Sequence, residues 1–377
     1  MEDALLRPVF IALCLIVMTA CGEKTYSNID PLEYTYSVPV SLDDGIEVAS
    51  ISDIGADEEI LTEMIRNRLR MHFRDIDSVL IYKNDKLILE EYFSGYTIDQ
   101  PHDLRSATKS ITSLLTGIAI EQGLIENENL KVYPVFDHGY SHLDNSVPEK
   151  ANIELRHLLN MNSGLDCNDD NPLSPGNETR MYRERDWYRF LLEQRQVYKP
   201  GEQYAYCTAG VHLIGGILRK LSGKTITEYS RENLFSRLGI TNFQWSRTPM
   251  DIEDTGGHLY LRPRDMLKIG IMMLNQGQWG GEQIVPQAWV EKMQTKTYPD
   301  YGYLWWKWTS VYEEHENIPD VDVYYASGNG GQKIMVVPSE NLVIVITGSN
   351  FNHWQGFWGP THMLYFYIVP ATHGISE

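Results

Sequence analysis

Residues 104–125 constrain the fold more than any other part of the chain. They read LRSATKSITSLLTGIAIEQGLI, and after the lysine the side chains are small or apolar on nearly every side. A helix of this composition is buried inside a protein. The sequence therefore predicts a central helix that other elements cover. At its start, Ser106 and Lys109 lie one turn apart on the same face.

The pair Ser106 and Lys109 suggests nucleophilic catalysis. The first turn of a helix has unsatisfied N–H groups and positive partial charge, which favour negative charge developing near a serine. Burial would desolvate the lysine and lower its pKa, so that Lys109 could accept the proton of Ser106. The alternative is an N-cap serine followed by a solvated lysine, and the buried character of the helix argues against it.

Periodicity divides the rest of the chain into strand-rich and helical parts. Residues 78–93 contain two β-rich runs that flank a turn, a pattern typical of a hairpin. Residues 301–350 form an antiparallel meander in the same interpretation. We predict an α/β (α+β) fold, in which an antiparallel sheet flanked by helices is formed by residues 56–105 and 257–377. An all-α domain of residues 106–256 is inserted into it.

The N-terminus has the pattern of a targeting segment. Arg7 precedes a short apolar run that ends in MTAC, with Cys21 after two small residues. Twelve apolar residues are too few to span a bilayer but suit a signal peptide. We predict a lipoprotein signal peptide at residues 1–20, lipidation of Cys21 and a tether or leader at residues 21–55. An ordinary secretory signal and an uncleaved anchor stay open.

Export to the periplasmic side of the bacterial cell envelope follows from this prediction, with secretion as the alternative. Two cysteines remain after the signal and the lipid site, Cys167 and Cys207. An exported protein has oxidising surroundings, so these two either form a disulfide or stay as separate buried thiols.

The 32 basic and 51 acidic side chains give a formal net charge of −19. Such a charge argues against nucleic acid as a partner and against an anionic membrane surface.

Several motifs in order resemble those of the serine β-lactamase-like hydrolases. That superfamily includes class C β-lactamases, penicillin-binding DD-peptidases, and a branch of esterases and 6-aminohexanoate-dimer hydrolases. The resemblance covers about residues 60–370. Its motifs are LRSATKSITSLLTGIAIEQG, IELRHLLNMNSGLD, PGEQYAYCTAGVHLIGGIL, GGHLYLRPRDMLKIGIMMLNQGQW and YASGNGGQKIMVVP. The resemblance implies the β-lactamase/transpeptidase-like fold.

The resemblance also implies roles for individual residues. Ser106 matches the nucleophile that forms an acyl-enzyme, and Lys109 matches its base partner. Tyr206, in Tyr206-Cys207-Thr208, matches the tyrosine of the Tyr-x-Asn motif, which the family uses as a proton shuttle. Tyr204 is the competitor two residues earlier. We prefer Tyr206 because the following helix begins at the distance that the family shows.

Two departures from the family pattern affect the expected substrate. Thr208 stands where the family has asparagine, so an amide that would contact a substrate carbonyl is replaced by a hydroxyl. The third motif begins with Ala326, so its usual cation or histidine is missing. In the family that cation helps to hold a substrate carboxylate. We therefore expect esters or small amides rather than penicillins or D-Ala-D-Ala peptides.

The rest of the third motif is expected to bind substrate. Ser327 follows Ala326, and Gly328 keeps the backbone open for the substrate. The N–H groups of Asn329 and Ser106 would form the oxyanion hole.

Aromatic residues are expected to line the pocket. Alternating aromatic residues of a strand at residues 301–308 are predicted to serve as core and pocket wall, with a specific aromatic substrate box as the alternative. The possible wall residues are Trp305, Trp306, Trp354 and Trp358.

No metal or cofactor is expected. His138 and His142 near Asp137 come closest to a metal site but lack the spacing of a helical ligand motif. No Gly-x-Ser-x-Gly occurs either, so the α/β-hydrolase route to an esterase is unsupported.

The predicted function is a membrane-tethered serine hydrolase that acts on a small-molecule ester or amide. One alternative is β-lactamase or DD-peptidase activity. The other is a non-catalytic binding protein that keeps the fold, since function lies in the site rather than in the fold.

Overall fold

The structure is a computed structural model that describes residues 30–73, 75–140, 150–295, 297–298, 300–310, 318 and 320–374. The expected signal peptide and Cys21 lie outside the described residues. Within the described part, no helix combines the length and the apolar character needed to cross a membrane.

A seven-stranded antiparallel sheet forms the centre of the described chain, with the strand order β2-β1-β12-β11-β10-β9-β8. Strands β3, β5 and β4 form a separate three-stranded sheet, and β6 and β7 form a two-stranded one. In chain order, the strands are β1 (Ile76–Lys83), β2 (Lys86–Tyr92), β3 (His102–Asp103), β4 (Phe243–Trp245), β5 (Leu259–Leu261), β6 (Gln278–Trp279), β7 (Glu282–Gln283), β8 (Tyr301–Gly302), β9 (Trp305–Ser310), β10 (Val321–Gly328), β11 (Gln332–Val337) and β12 (Leu342–Gly348). The predicted fold, with its early hairpin and late meander, is confirmed.

The helices lie on both faces of this sheet. They are α1 (Glu58–Leu69), α2 (Thr108–Glu121), α3 (Val132–Tyr140), α4 (Leu155–Leu159), α5 (Glu178–Met181), α6 (Trp187–Leu192), α7 (Thr208–Ser222), α8 (Ile226–Ser230), α9 (Pro263–Leu274), α10 (Gln287–Gln294), α11 (Trp354–Met363) and α12 (Val369–Thr372). Helices α2 and α9 pack on one face, α7 packs on α2, and α1, α11 and α12 belong to the core on the other face.

The alternation of side chains along the strands accounts for these two layers. In β11, Ile334 and Val336 belong to the core that contains α2, whereas Met335 and Val337 belong to the core that contains α1. Successive residues of a strand point to opposite faces, so one apolar strand supplies both cores. The sheet is therefore covered on both sides, and its apolar strands read as continuous apolar runs.

Helix α2 is buried along most of its length, as its composition predicts. Close packing explains one of its small residues. A Cβ on Gly117 would lie 2.3 Å from the Trp289 ring, so only glycine fits between α2 and α10. The turn that precedes α2 contacts β10 and β11, and α2 itself contacts α7; the candidate site lies at this junction.

The predicted aromatic strand differs from the structure. The chain turns back at Tyr303 and Leu304, which have φ values of 51° and 66°, so that two short strands replace one. Tyr301 on β8 then pairs with Trp306 on β9. The alternating pattern suggested a single strand because β8 and β9 are both aromatic and the turn between them contains no glycine, proline or asparagine.

Residues 30–55 run along the edge of the sheet at β2. Tyr34 is buried and its hydroxyl donates to Glu91 Oε1 at 2.8 Å, while Val48 pairs with Leu87 of β2. This part of the expected leader therefore belongs to the folded unit. The boundaries proposed for the two domains stay a prediction.

Candidate active site

Ser106 lies in a tight 3-10 turn immediately before α2. The turn spans Arg105–Ala107, and Arg105 has a φ of 49°, in the left-handed region that non-glycine residues seldom adopt. The Arg105 N–H donates to Asp103 Oδ1 at 3.0 Å, which supports this conformation. A costly backbone conformation persists only where its surroundings impose it. The chain thus presents Ser106 at a fixed, half-buried position.

Lys109 lies one turn further along α2 and is 1% exposed. Its Nζ donates to Ser106 Oγ at 3.0 Å and to the Gly256 carbonyl oxygen at 2.6 Å. Gly256 is held in turn by Asp254, whose Oδ1 accepts the Gly256 N–H at 3.0 Å. These contacts fix the lysine nitrogen against the serine oxygen.

The charge state of Lys109 differs from the prediction. Burial is the largest single influence and lowers the pKa of Lys109, but negative charge on Tyr206 and on three carboxylates outweighs it and raises the pKa above its usual value. The carboxylates belong to Glu178, Asp169 and Asp254. Lys109 is therefore charged at neutral pH, and the prediction of a lowered pKa is wrong. Sequence reasoning missed these acids because they are distant from α2 in the chain.

Two of the three carboxyl groups are themselves perturbed. Burial raises the pKa of Asp254, and the charges of His258 and Lys109 oppose the rise. Burial and the neighbouring Glu178 carboxylate raise the pKa of Asp169. Lys109 is thus a buried cation in an acidic pocket whose negative charge balances it.

Tyr206 lies beside Lys109. Its ring centroid is 5.0 Å from Lys109 Nζ, and the ring stacks on Trp306 with centroids 6.1 Å apart. The competing Tyr204 stacks on Tyr298 instead, with centroids 4.4 Å apart. Of the two tyrosines, the structure brings Tyr206 to the lysine.

Cys167 and Cys207 form a disulfide, with Cα atoms 5.5 Å apart. The bond ties the loop that contains Asp169 to the residue that follows Tyr206. The Asp169 N–H donates to the Tyr206 carbonyl oxygen at 2.7 Å. A disulfide at these positions was one of the two possibilities that the sequence left open. Had the sequence analysis adopted it, the bond would have indicated that Asp169 lies close to Tyr206.

Thr208 is not placed as the resemblance implied. It is buried, its N–H donates to Asp169 Oδ2 at 2.6 Å, and its hydroxyl donates to Glu178 Oε2 at 2.9 Å. The proton of the hydroxyl is therefore used by a carboxylate and does not point to an open pocket. Thr208 is the first residue of α7, and here it anchors two of the acids that surround Lys109.

The third motif lies against the turn that carries Ser106. A Cβ on Gly328 would lie 2.0 Å from the Leu104 carbonyl oxygen, so this glycine is required by backbone packing. Its part in keeping the backbone open for substrate stays a prediction. Asn329 is exposed, and its side chain exchanges hydrogen bonds with Asn352 at 2.7 and 2.8 Å. Its role, and that of the Ser106 N–H, in an oxyanion hole stay predictions.

The cation that Ala326 lacks has a counterpart on the neighbouring strand. Lys333 on β11 lies directly opposite Ser327, and its Nζ donates to Ser327 Oγ at 2.8 Å. Sequence reasoning missed this lysine. Counting back from the tight turn at Gly330 and Gly331 would have paired it with Ser327.

One of the four proposed wall tryptophans lies at the site. Trp306 stacks on Tyr206. Trp305 is 0% exposed and belongs to the core beside Tyr324, so its assignment to the pocket wall is wrong. Trp358 is exposed beside His362 on the same helix. The side chain of Trp354 lies outside the described part of the structure.

Among the described residues, no group of three His, Cys, Asp or Glu side chains is placed to hold a metal ion. The side chains of Asp137 and His138 and the whole of His142 lie outside those residues.

Comparisons with known proteins agree with this geometry. The model of the Beta-lactamase family matches residues 61–357. A 6-aminohexanoate-dimer hydrolase of Paenarthrobacter ureafaciens is 24% identical over 327 residues, which are 74% of this chain and 75% of that protein. A family VIII carboxylesterase superposes with a TM-score of 0.62 at 14% identity, over 88% of this chain and 100% of that one.

A penicillin-binding protein homologue from Pyrococcus abyssi superposes with a TM-score of 0.61 at 18% identity, over 81% of this chain and 76% of that one. These two structural likenesses show the fold. The family model covers well over half of the sequence, and the protein therefore belongs to the Beta-lactamase family of serine hydrolases.

Proposed function

We propose that the protein hydrolyses carboxylic esters, and small amides as a second class, through an acyl-enzyme on Ser106. One observation carries the proposal. The buried Lys109 Nζ lies 3.0 Å from Ser106 Oγ and is held there by the Gly256 carbonyl oxygen. A nucleophile within hydrogen-bond reach of an oriented partner is the arrangement that acyl transfer requires.

The charge on Lys109 determines its part in the reaction. A charged lysine has no lone pair to accept a proton, so the proton of Ser106 passes to another group, for which Tyr206 is placed beside the lysine. The Lys109 charge stabilises negative charge on the phenol oxygen and on Ser106 Oγ as the proton leaves. Lys109 then acts as an electrostatic partner of both oxygens.

The steps balance with these groups. Tyr206 enters the reaction as the phenolate, whose negative charge Lys109 stabilises. Ser106 Oγ forms a bond to the substrate carbonyl carbon, and its proton goes to the phenolate oxygen of Tyr206. The carbon–oxygen bond to the leaving alcohol, or the carbon–nitrogen bond of an amide, then breaks as Tyr206 returns the proton to the leaving group. Water repeats the sequence on the acyl-enzyme and releases the acid and free Ser106.

Support for the substrate class comes from the named relatives. One is a 6-aminohexanoate-dimer hydrolase and another a family VIII carboxylesterase, and their names describe amide and ester substrates. The likeness to a penicillin-binding protein homologue supports β-lactamase or DD-peptidase activity as the second candidate. A chromogenic cephalosporin, tested beside short acyl esters, separates the two.

The proposal is tested by exposing the protein, from residue 22 onward, to a fluorophosphonate and weighing it intact by mass spectrometry. We expect one adduct on the wild type and none on Ser106→Ala. Ser222→Ala, which changes a serine at the far end of α7, is the matched control and should label fully. No adduct on the wild type would favour the non-catalytic binding protein instead.

The proposal includes a lipid anchor at Cys21 that holds the enzyme on the periplasmic side of the cell envelope. The apolar run followed by MTAC supports it. Metabolic labelling with an alkyne-tagged fatty acid should label the wild type and not Cys21→Ser. If the wild type stays unlabelled and soluble after export, the protein is secreted.

A further inference from the structure

A histidine–carboxylate hydrogen bond joins two segments of the candidate site that are distant in sequence. Nδ1 of His258 lies 2.9 Å from Asp103 Oδ2. Burial would raise the pKa of Asp103, but the hydrogen bonds from His258 and from the backbone outweigh it and lower the pKa. Asp103 is therefore an ionised carboxylate, which can only accept, and His258 Nδ1 is the donor. The two side chains are 24% and 13% exposed, so the bond is partly shielded from water.

Asp103 belongs to the segment that presents the nucleophile. Its Oδ1 accepts the Arg105 N–H at 3.0 Å, and the Arg105 guanidinium lies 3.2 Å from its Oδ2. Arg105 is the residue with a φ of 49° that directly precedes Ser106. The carboxylate of Asp103 therefore supports the turn on which the position of Ser106 depends.

His258 belongs to the segment that holds Lys109. It follows Gly256 and Gly257, and the Gly256 carbonyl oxygen accepts from Lys109 Nζ at 2.6 Å. His258 has a φ of 60°, again in the left-handed region that non-glycine residues seldom adopt. Such a conformation persists where the surroundings impose it, and it often marks a functional site. In this conformation the imidazole reaches Asp103.

Backbone bonds join the same two segments on one side of this pair. The Leu104 N–H donates to the Leu259 carbonyl oxygen at 2.9 Å, and the Leu259 N–H donates to Thr108 Oγ1 at 3.0 Å. Leu259 follows His258, whereas Gly256 precedes it by two residues. The side-chain bond of His258 therefore extends the connection from Leu259 towards the carbonyl group that holds the catalytic lysine.

We propose that Asp103 and His258 are positioning residues for acyl transfer, whose hydrogen bond fixes the turn that presents Ser106 relative to the loop that holds Lys109. This inference rests on the proposed function and adds two residues to its machinery. Acyl transfer needs the serine oxygen and the lysine nitrogen at a set separation, and a misplacement of about 1 Å can cost on the order of 10²-fold in rate. The pair acts on that separation through its two segments.

The surrounding charge strengthens the connection. The hydrogen bond to Asp103 is the largest influence on His258 and raises its pKa, with burial opposing the rise and the charges of Asp103 and Asp254 adding to it. A hydrogen bond between an imidazolium and a carboxylate is stronger than one between neutral groups. Asp254 Oδ1 in turn accepts the Gly256 N–H at 3.0 Å. His258 thus interacts with two carboxylates, one on each segment.

Three variants and a control test the inference. His258→Gly removes the donor and suits the left-handed backbone, whereas His258→Asn also tolerates that backbone and keeps an N–H donor on Cγ, in the place of Nδ1. Asp103→Asn keeps an oxygen for the Arg105 N–H and replaces the acceptor of His258 by an NH₂ group. The control is His373→Gly. His373 Nδ1 lies 2.8 Å from Glu340 Oε1 and its side chain is also 24% exposed, but it follows α12 on the other face of the sheet.

The readouts are kcat and KM for p-nitrophenyl butyrate, the rate of fluorophosphonate labelling and the midpoint of urea unfolding. We expect His258→Gly and Asp103→Asn to lower kcat and the labelling rate by about 10- to 100-fold. KM should stay within about threefold, because the pair acts through the catalytic groups and not on the substrate. His258→Asn should restore kcat to within about threefold of the wild type, and His373→Gly should leave it unchanged.

The double variant of His258→Gly and Asp103→Asn separates a shared role from two independent ones. It should lose no more activity than the more impaired single variant, because the same hydrogen bond is removed only once. A purely structural role would lower the urea midpoint and leave kcat unchanged wherever the variants are folded. The milder His258→Asn and Asp103→Asn keep the test valid if His258→Gly fails to fold.

Failure of this inference is distinct from failure of the proposed function. If the wild type labels with a fluorophosphonate, three results would each overturn the positioning role alone. They are an unchanged kcat in His258→Gly and Asp103→Asn, a His258→Asn variant as slow as His258→Gly, and additive losses in the double variant. A wild type that neither labels nor hydrolyses the ester would overturn the proposed function, and this inference with it.

Discussion

Two serine–lysine contacts lie in the described part of the structure, and their geometry is nearly equal. The lysine nitrogen is 3.0 Å from the serine oxygen in the pair Ser106–Lys109 and 2.8 Å in the pair Ser327–Lys333. Both lysines are 1% exposed. What differs is the direction in which the pKa of each lysine moves.

Lys109 is surrounded by acidic groups, and their combined charge raises its pKa despite burial. Burial lowers the pKa of Lys333 to about 7. The comparison shows that nearby negative charge can outweigh burial in setting the pKa of a lysine. One pair therefore contains a permanent cation suited to stabilise negative charge during acyl transfer. The other contains an amine whose charge depends on pH.

The largest expected effect separates the two serines. Ser106→Ala should lower kcat/KM for a short neutral ester by about 10⁴-fold or more, because no other group can form the acyl-enzyme. Ser327→Ala should lower it by no more than about tenfold, since that serine only contacts the substrate. Steady-state kinetics with p-nitrophenyl butyrate measures both. Equal losses in the two variants would remove the distinction between nucleophile and binding hydroxyl.

The next effect concerns the proton route beside Lys109. Tyr206→Phe should lower kcat by about 10² to 10⁴-fold, because the phenol oxygen that carries the proton is removed while the ring stays. Tyr204→Phe is the matched control and should change kcat by less than about threefold, since that ring stacks on Tyr298 away from the lysine. If the two variants have interchanged effects, Tyr204 is the shuttle.

The two lysines should have opposite effects on stability. Lys109→Met leaves Glu178, Asp169 and Asp254 without their cation and should lower the free energy of unfolding by about 3 kcal/mol. Lys333→Met removes an amine that is costly to bury and should raise it, on the order of 2 kcal/mol, at pH 7. Urea unfolding of both variants measures the difference. Destabilisation by both would mean that Lys333 is paired as firmly as Lys109.

The dependence of the free energy of unfolding on pH gives a second test of the Lys333 variant. The unfolded chain keeps a proton on Lys333 up to about pH 10.4, whereas the folded protein keeps it only up to about pH 7. Between these values unfolding takes up a proton, so wild-type stability gains from Lys333 as pH rises. The advantage of Lys333→Met should therefore be largest at or below about pH 7 and shrink towards about pH 10.

The sequence predicted those helices and strands whose burial produces a visible pattern of apolar residues. The apolar run after Lys109 predicted a buried helix, and the two β-rich runs at residues 78–93 predicted the first hairpin. Such patterns show whether a segment is buried and whether its apolar side chains repeat at the period of a helix or of a strand. The division between β8 and β9 was missed because Tyr303 and Leu304 adopt positive φ without any residue that normally signals it.

The electrostatics of the site could not be predicted in the same way. A disulfide ties the loop of Asp169 to the residue after Tyr206. Asp254 and Gly256 approach Lys109 from a loop that is distant from it in sequence. Lys333 contacts Ser327 from the neighbouring strand. Each contact forms only when the chain has folded, and the pKa of a buried lysine depends on the sum of such contacts. Residue types identified the catalytic pair, whereas its charge state required the three-dimensional structure.

The smallest expected effect tests whether the acidic pocket sets the charge of Lys109. Asp254→Asn keeps an oxygen to accept the N–H groups of Gly256 and Gly257, both at 3.0 Å in the wild type, but removes one negative charge. Less negative charge lowers the pKa of Lys109. The loss of kcat/KM at high pH should then begin about half a unit lower than in the wild type.

The control for this shift is Asp251→Asn, an exposed acid three residues earlier that pairs with Arg247. It should leave the pH profile unchanged, because solvent screens a charge at the surface. A profile for Asp254→Asn that matches the wild type would mean that the remaining acids suffice to keep Lys109 charged. A shift to higher pH would contradict the role of the acidic pocket, since removing a negative charge can only make a neighbouring cation easier to neutralise.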